Sequence, residues 1–566
     1  MLRTQSRSLP LPYHLKSPSS WTPLASEQIE TAVRRLHTVD CTWLLPRSTY
    51  FVPGHAESCA LEPVFINQDG SRTIYSISIF LDRWLLCIYH EKLVELWDLD
   101  SVFDSPHKPV LCTSQQLKGV GSFSSAITHI DEDDQVLTIA VSCHELCHVL
   151  QVQLYSSSTI LRLHYGTNPQ DVQFRVIALI TFASPIFCLR ALDPTQSLLL
   201  LGLPSSFHLL NWNTNERTVV SMLSEEEEEL WNGVVRATFL TPRHILVLKA
   251  HSLEVCTLLD SPQARMNDDA SGTDTDPSTH PHPTVQMSAA VHSHFFPSTT
   301  FRGVSFSRPT VHQPFPSDPP DEPTRVSLTF LAYDVLRGLF HCSVLVAIPP
   351  TDRPLIPHPR AYASNPPIDV QVRLLAAHNM ALPLAPGDEA APSVSRSGFS
   401  HGARGFVSAC ALGPAGRRGV WVERRRGAVR RVVYGFAADE GKDEGDSDGD
   451  SDGDSFCSDE GEFEGRRPTP TKKNVVRKKG KKNKNKKATE GFQPGTPISV
   501  HNSELDIDPA HSWHTQAPRA IEGKEVYDVN SYDLRDDITH IAFSETTGLI
   551  ALGTRKGDIR VLGRAN

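Results

Sequence analysis

The strongest constraint on this 566-residue chain is a series of short apolar strands separated by glycine-containing turns. The C-terminal end shows it most clearly. Residues 538–543 alternate apolar and polar side chains, residues 549–553 form an apolar run after Gly548, and residues 559–562 follow a turn at Gly557. Short strands joined by such turns predict most of one antiparallel four-stranded sheet.

The same pattern recurs upstream. Residues 75–79, 84–89 and 93–98 form another unit, whose last strand ends on Trp97-Asp98, a dipeptide typical of propeller blades. Residues 126–130 nearly repeat residues 538–541, which indicates an internal repeat. The units recur roughly every 45–60 residues, which is slightly long for a regular blade and consistent with decorated loops. We predict an all-β fold, a WD40-like β-propeller of about seven blades, with a short N-terminal helix and long disordered insertions.

The positions where the strand pattern stops predict the organisation of the chain. A helix is expected after Ser26, because Ile29, Ala32, Val33 and Leu36 share one helical face. The predicted segments are a disordered tail at 1–25, the helix and a lead-in strand at 26–60, blades at 61–260, a disordered loop at 261–300, more blades at 301–436, an acidic then basic low-complexity insertion at 437–497, and a closing blade at 498–566.

An open propeller ring would leave exposed edge strands at both ends. The C-terminal unit supplies only three strands before the chain stops at Asn566. We therefore predict that a strand from residues 40–66 completes the last blade.

Composition favours an intracellular protein in the nucleus, the cytoplasm or both. The 11 cysteines are scattered through apolar runs and lack the even spacing of a secreted disulfide scaffold. The net charge of −10 predicts no general attraction to nucleic acid or to acidic membranes. No apolar run is long enough to cross a bilayer, and no cofactor is expected.

One pentapeptide matches the zinc metalloprotease pattern H-E-x-x-H, with His144, Glu145 and His148 as the metal-site candidates. That chemistry needs both histidines on one face of a helix and a further ligand downstream. The flanking residues 136–141 and 149–154 are β-rich, so the pentapeptide falls where a hairpin turn is expected. We consider ordinary hairpin residues the better interpretation, ahead of an incidental metal-binding hairpin and of a protease.

The low-complexity insertion carries two blocks of opposite charge. In the acidic tract, residues 439–464, Ser447 and Ser451 are each followed three residues later by an aspartate, a pattern that favours phosphorylation by acidophilic kinases. The basic block is typical of nuclear import or of loose phosphate contact, and it has no aromatic residues for base stacking. A simply solvated run of charge is the alternative. The import candidates are Lys472, Lys473, Arg477, Lys478, Lys479, Lys481 and Lys482.

An arginine-rich hairpin is predicted at residues 419–436, with its turn near Gly427. Alternate residues Val420, Val422, Val432 and Tyr434 are expected to face inward. Guanidinium groups bind carboxylates and phosphates through paired hydrogen bonds, so this hairpin is the predicted partner-binding surface, although a simply solvated hairpin remains the alternative. The candidate residues are Arg417, Arg418, Arg424, Arg425, Arg426, Arg430 and Arg431.

Several segments together resemble fungal F-box proteins with a degenerate WD40-like propeller. They are residues 9–13 (Leu-Pro-Leu-Pro-Tyr), 34–43, 416–424 and 548–562. The resemblance implies that the propeller binds substrates for an SCF-type ubiquitin ligase. In that family an F-box, which docks on the cullin adaptor, precedes the Leu-Pro-Leu-Pro segment. Here only eight residues precede it, so we expect no F-box in this chain, either because the gene model starts late or because the module has been lost.

Three functional hypotheses follow. The first is a non-catalytic, protein-binding propeller, related to substrate receptors of SCF-type ubiquitin ligases and meeting the cullin-adaptor machinery if an upstream F-box exists. The second is a nuclear WD40-like scaffold, for example in ribosome assembly, which uses the lysine-rich block. The third is a zinc metalloprotease acting through residues 144–148.

Overall fold

The computed structural model describes the strands and the segments next to them. The described residues are 30, 33–34, 37–40, 42–44, 64–66, 72–99, 109–119, 123–131, 135–143, 146–154, 172–182, 188–202, 207–222, 232–259, 284–296, 299–312, 323–335, 337–349, 368–380, 405–425, 427–438 and 519–563. They all belong to one unit, Met1–Asp439 together with Trp513–Asn566.

The strands form successive antiparallel groups of four, which we call blades 1 to 7. The first strand, β1 (Val64–Ile66), belongs to blade 7. Blade 1 contains β2 (Ile74–Phe80), β3 (Trp84–Tyr89), β4 (Leu93–Asp98) and β5 (Val110–Gln116). Blade 2 contains β6 (Phe123–Asp131), β7 (Val136–Cys143), β8 (Leu146–Gln153) and β9 (Arg175–Thr181). Blade 3 contains β10 (Cys188–Asp193), β11 (Leu198–Gly202), β12 (Phe207–Asn211) and β13 (Glu216–Met222).

The remaining blades keep this order, apart from two short additional strands. Blade 4 contains β14 (Val234–Thr241), β15 (His244–Lys249), β16 (Ser252–Leu259) and β17 (Thr284–Phe295). Blade 5 contains β18 (Phe301–Phe306), the short β19 (Thr310–His312), β20 (Thr324–Asp334), β21 (Gly338–Ile348) and β22 (Asp369–Asn379). Blade 6 contains β23 (Gly405–Leu412), β24 (Arg418–Arg425), β25 (Arg430–Ala437) and β27 (Lys524–Asn530). Blade 7 contains β28 (Ile538–Phe543), β29 (Ile550–Thr554) and β30 (Ile559–Leu562), together with β1. The short strand β26 (Arg519–Ala520) pairs with β22 of blade 5.

The first strands of the blades form a closed ring. Each of β2, β6, β10, β14, β18, β23 and β28 contacts the next one, and β28 contacts β2. In blade 7, β1 pairs antiparallel with β30, with Val64 opposite Val561 and Ile66 opposite Ile559. This arrangement confirms the predicted propeller, gives it seven blades, and confirms that a strand from residues 40–66 completes the last one.

Every inner strand carries the same irregularity. In each of the seven blades the pairing between the first two strands skips one residue near the start of the inner strand, for example Tyr75 in blade 1 and Thr539 in blade 7. Such a bulge increases the local twist, and its recurrence marks the blades as repeats of one unit. The similar segments 126–130 and 538–541 occupy this inner position in blades 2 and 7.

The apolar core lies between neighbouring blades. Most blades are buried on both faces, so their central strands read as continuous apolar runs: Trp84–Tyr89 and His244–Lys249 are buried along their whole length. The described residues of the N-terminal segment include helical positions 37–40 and 42, followed by the buried Trp43. Within the described part of the chain, no helix has the length and apolar character to cross a membrane.

Two predicted boundaries are wrong. The segment 261–300 was expected to be disordered, but Thr284–Phe295 forms β17, the outer strand of blade 4. It pairs antiparallel with β16 and parallel with β13. An outer strand is held through its backbone and needs few apolar side chains, which explains why its mixed composition resembled a loop.

The closing segment 498–566 also differs from its prediction, because it contributes to more than one blade. Its strand β27 pairs with β25 and completes blade 6, while only β28, β29 and β30 belong to blade 7. The low-complexity insertion predicted at 437–497 therefore starts at the last residue of β25, and the rest of it falls between the third and fourth strands of blade 6. Residues 439–518 lie outside the described part of the chain.

The alternation of strands gives the propeller two faces. Loops between the first and second strands of a blade lie on one face, which we call the a–b face. Loops between the second and third strands, and the connections from one blade to the next, lie on the other, which we call the b–c face.

Candidate functional site

The arginine-rich hairpin is formed by β24 and β25 of blade 6. Its turn contains Gly427, whose φ of 75° is readily adopted by glycine, and the Ala428 amide donates to the Arg425 carbonyl (3.1 Å). The strand β24 separates Arg418 from Arg425 by roughly 23 Å, at about 3.3 Å per residue. The predicted arginine cluster therefore divides between the two faces: Arg417 and Arg418 lie at the a–b face, and Arg424, Arg425, Arg430 and Arg431 lie towards the b–c face.

At the a–b face, the seam between blades 6 and 7 is held by a buried carboxylate. Glu545 is fully buried and accepts hydrogen bonds from the backbone amides of Ala415 (2.6 Å), Arg417 (2.8 Å) and Arg418 (2.9 Å). Burial raises the pKa of Glu545, and these amide bonds oppose the rise. The Arg418 guanidinium donates to the Glu545 carbonyl (3.3 Å) and pairs with Asp40. We call Asp40, Arg418 and Glu545 the Glu545 cluster.

Trp43 seals the same end of the seam. Its side chain is 1% exposed, and its ring lies 5.3 Å from the ring of Phe543 in blade 7. In blade 6 it packs over Gly435, where an added Cβ would come within 2.8 Å of the indole ring. The Arg418 guanidinium carbon lies 5.8 Å from the ring centroid. The N-terminal segment thus contributes an aromatic wedge between blades 6 and 7.

At the b–c face the same seam has a second buried ion-pair cluster. Asp537 pairs with both Arg431 and Arg424, the latter at 3.2 Å. Arg431 is 2% exposed and also donates to the carbonyls of Ala428 (3.0 Å) and Val429 (3.1 Å). We call Arg424, Arg431 and Asp537 the Asp537 cluster. Its arginines hold the hairpin turn against the connection between blades 6 and 7.

That connection, residues 531–537, is fixed by backbone contacts. We call it the Tyr532 loop. The Ser531 amide donates to the Val429 carbonyl (2.8 Å), and the Asp533 carboxylate accepts from the Arg535 amide (2.9 Å) at the start of a short 3₁₀ helix, Leu534–Asp536. The Lys556 amide donates to the Arg535 carbonyl (2.9 Å), which ties the loop to blade 7.

The Tyr532 loop displays apolar side chains to solvent. Tyr532 is 82% exposed and Leu534 is 57% exposed, while Val429 in the adjoining hairpin turn is 43% exposed. Exposed arginines lie beside them. Arg425 contacts Tyr434 and Glu423, and Arg430 pairs with Asp528 (2.7 Å) and Glu525. The hydrogen bond to Asp528 raises the pKa of Arg430.

The predicted inward face of the hairpin is only partly right. Val420 and Val422 face blade 7, but Val432 and Tyr434 lie on the opposite face, because Val422 pairs with Val433 and Trp421 pairs with Tyr434. The prediction assumed one buried face. A blade lies between two neighbours and buries both faces, so alternation does not separate an inside from an outside.

The H-E-x-x-H segment lies at a hairpin, as predicted. β7 and β8 pair up to Cys143 opposite Leu146, and His148 lies in β8 with its Nε2 2.8 Å from the Lys118 carbonyl oxygen. A strand does not give the helical spacing that the protease motif needs. His144 and Glu145 lie outside the described residues. Within the described ranges, no three His, Cys, Asp or Glu side chains group as a metal site would require.

Other candidates also lie outside the described residues. They are Arg426, the phosphorylation candidates Ser447 and Ser451, and the import candidates Lys472, Lys473, Arg477, Lys478, Lys479, Lys481 and Lys482. Their roles remain predictions.

Sequence reasoning missed Tyr532, Leu534 and Asp537. A signal was available: residues 530–537, Asn-Ser-Tyr-Asp-Leu-Arg-Asp-Asp, place an aromatic and a leucine in a polar stretch without strand alternation. Large apolar side chains in a connecting loop are candidates for exposure and for binding.

No protein-family model matches the sequence, and no curated protein shows significant similarity to it. Among solved structures, the chain is similar to the C-terminal WD40 domain of Sif2 (6% identity, 89% of this chain and 100% of that chain covered, TM-score 0.37). It is also similar to the WD40 β-propeller domain of Doa1 (8% identity, 89% of this chain and 96% of that chain covered, TM-score 0.35). A third similar structure is the β-propeller domain of Myceliophteria thermophila Cps50 (Swd1) (9% identity, 87% of this chain and 100% of that chain covered, TM-score 0.37). The propeller assignment itself follows from the strand order and the closed ring of inner strands.

Proposed function

We propose that this chain is a non-catalytic propeller that binds another protein through the b–c end of the seam between blades 6 and 7. The contact surface, which we call the Tyr532 surface, consists of Tyr532, Leu534 and Val429, with Arg425 and Arg430 at its rim. The observation that carries the proposal is the 82% exposure of Tyr532 on a loop that the Asp537 cluster and backbone hydrogen bonds hold in place.

The composition of this surface suits a protein interface. Tyrosine and arginine are enriched among residues that dominate binding energy, and an apolar centre with a charged rim is typical of such sites. A loop already fixed by internal hydrogen bonds loses less conformational entropy when it binds. The chemistry of Tyr532 and Leu534 favours a partner that offers an apolar pocket, with acidic side chains opposite Arg425 and Arg430.

A narrower form of the proposal is a substrate-binding role in an SCF-type ubiquitin ligase. It is supported by the resemblance of residues 9–13, 34–43, 416–424 and 548–562 to fungal F-box proteins. In this role the Tyr532 surface would bind the substrate, and other subunits would carry out ubiquitin transfer. An in-frame F-box in the genomic sequence upstream of Met1 would support the role.

The second candidate is a nuclear scaffold, which the lysine-rich block at residues 472–487 favours. Here the propeller would assemble nuclear proteins rather than deliver a substrate. The two candidates separate on localisation: deleting residues 472–487 would remove nuclear accumulation of a scaffold that depends on this block.

The test of the interaction proposal is affinity purification with mass spectrometry on three forms of the full chain: wild type, Tyr532→Ala/Leu534→Ala, and Phe295→Ala. Phe295 is 60% exposed on β17 of blade 4 and serves as the matched control. We expect specific partners to be recovered with wild type and the control and lost with the double variant. The proposal would be contradicted if no partner recovered with wild type were lost with the double variant. Cullin and adaptor peptides with wild type would favour the ligase role.

A further inference from the structure

The outer edges of the blades differ in whether a further strand covers them. In blade 3, the outer strand β13 pairs in parallel with β17 over six residue pairs, from Arg217 opposite Thr284 to Met222 opposite Ala289. In blade 5, the outer strand β22 pairs in parallel with β26. This propeller therefore accepts additional parallel strands at its rim.

Among the strands that the structure describes, none covers the outer strand of blade 2. Among the described strands, β9 pairs only with β8 and ends its sheet. Its sequence, Arg-Val-Ile-Ala-Leu-Ile-Thr, is apolar apart from its ends. Val176 is 47% exposed and Leu179 is 54% exposed, whereas Ile180 is buried against blade 3. The backbone groups along an unpaired edge form a template for another strand.

The pairing of β26 with β22 in blade 5 indicates where along β9 an added strand is expected to pair. In β22 the pairing with β21 skips Leu375, and β26 pairs immediately after this bulge, at Ala376 and Ala377. In β9 the pairing with β8 skips Ile177, so Ala178 and Leu179 hold the equivalent positions. The bulge therefore does not prevent strand addition, and it places the docking segment at residues 178–181.

The outer strand of blade 1 provides a contrast. β5 also ends its sheet among the described strands, and Val110 and Leu111 are 39% and 43% exposed. Its remaining residues are Cys-Thr-Ser-Gln-Gln. The polar half of β5 gives an added strand little apolar surface to bury, while the apolar side chains of β9 continue past the bulge.

We propose that β9 is a second interaction site, which binds an extended, uncharged segment of a partner protein as an added parallel strand. The backbone of residues 178–181 supplies the hydrogen bonds, and Leu179 contacts an apolar side chain of the segment. This mode of recognition takes its affinity from main-chain hydrogen bonds and its specificity from alternate side chains. The site is separate from the Tyr532 surface and does not depend on it.

The test begins with a phage-displayed peptide library selected on the full-length protein, with Leu179→Lys for counter-selection. A lysine on an edge strand opposes strand addition. Selected peptides are synthesised, and their affinities are measured for wild type, Leu179→Lys and the control Leu111→Lys. We expect uncharged peptides with alternating apolar residues, an affinity loss of at least about tenfold in Leu179→Lys, and no change in the control.

Two further measurements decide whether a strand is added to β9. Within residues 178–181, the amides that point away from β8 should exchange fast in the free protein and slowly when the peptide is bound, and N-methylation of the peptide backbone should abolish binding. Slow exchange of these outward-facing amides in the free monomer would mean that the edge is already covered, and the proposal would fail. It would also fail if no selected peptide depended on Leu179, or if light scattering showed a dimer that Leu179→Lys dissociates, because a second copy would then occupy the edge.

Discussion

The two ends of the seam between blades 6 and 7 use similar chemistry for different results. At the a–b end, Glu545 accepts bonds from backbone amides, Arg418 pairs with Asp40, and Trp43 covers the seam. At the b–c end, Asp537 pairs with Arg424 and Arg431, and next to it Tyr532 projects into solvent. One end is closed by the N-terminal segment, and the other presents an apolar loop.

The difference shows that the buried charged side chains of this seam hold loops in position and are not the ones exposed for recognition. A buried arginine must keep its partner, because an unpaired charge in the interior is costly. Arg418 and Arg431 are therefore committed to holding loops in place. In our proposal, partner binding therefore falls to the exposed Arg425 and Arg430 and to the apolar side chains beside them.

The largest effect is expected from removing the shared carboxylate of the b–c end. Asp537→Ala leaves Arg431 buried without its carboxylate and should lower the free energy of unfolding by about 4 kcal/mol. Chemical denaturation measures this change. The same variant should weaken binding at the Tyr532 surface, because the loop loses its anchor. Asp533→Ala is the control: this carboxylate is 56% exposed, so its loss should cost no more than about 1 kcal/mol.

The next effect tests the closed end. Trp43→Ala removes the wedge between the blades and should lower the free energy of unfolding by about 3 kcal/mol, through lost burial and the cavity left behind. Partner binding at the b–c end should remain unchanged. A loss of binding equal to that of Asp537→Ala would show that the two ends are not independent.

The neighbouring seam, between blades 5 and 6, should respond to acid. His341 of blade 5 is 1% exposed and hydrogen bonds to the backbone of Gly416 in blade 6, and burial lowers its pKa to about 4. The unfolded chain binds a proton near the ordinary value of 6.5, so acidification favours unfolding in the window between these values. Between pH 7 and pH 5 this group should cost about 2 kcal/mol of stability.

Thermal or chemical unfolding of wild type and His341→Gln across that range measures the effect. The variant should lose less stability than wild type as the pH falls from 7 to 5. Parallel curves for the two proteins would show that His341 titrates normally in the folded state.

The smallest effect concerns the exposed arginines. Arg425 is 62% exposed beside Glu423, so Arg425→Ala should change the free energy of unfolding by less than about 1 kcal/mol. Its contribution should appear in binding, as a modest affinity loss that diminishes at high salt. A stability loss as large as that of Asp537→Ala would place Arg425 with the supporting arginines instead.

The sequence predicted the features that depend on repetition. Glycine turns, the Trp97-Asp98 dipeptide and the likeness of residues 126–130 to 538–541 indicated the blades, and the need to close the ring predicted β1. Periodicity works here because each blade repeats the same strand order and the same inner bulge.

Features set by long-range pairing were less accessible. The strand β27 lies next to β28 in sequence but pairs with β25, across an insertion of low complexity. The arginines of β24 and β25 looked equivalent in sequence, yet their burial depends on Asp40, Asp537 and Glu545 from distant segments. Composition alone does not show which charge has a partner.

The most direct test is hydrogen exchange on the protein with and without a partner identified by the purification experiment. We predict that the partner slows exchange at residues 427–430 and 531–537 and leaves residues 413–417 and 544–549 unchanged. Slowed exchange at the a–b end, with none at the Tyr532 loop, would contradict this account.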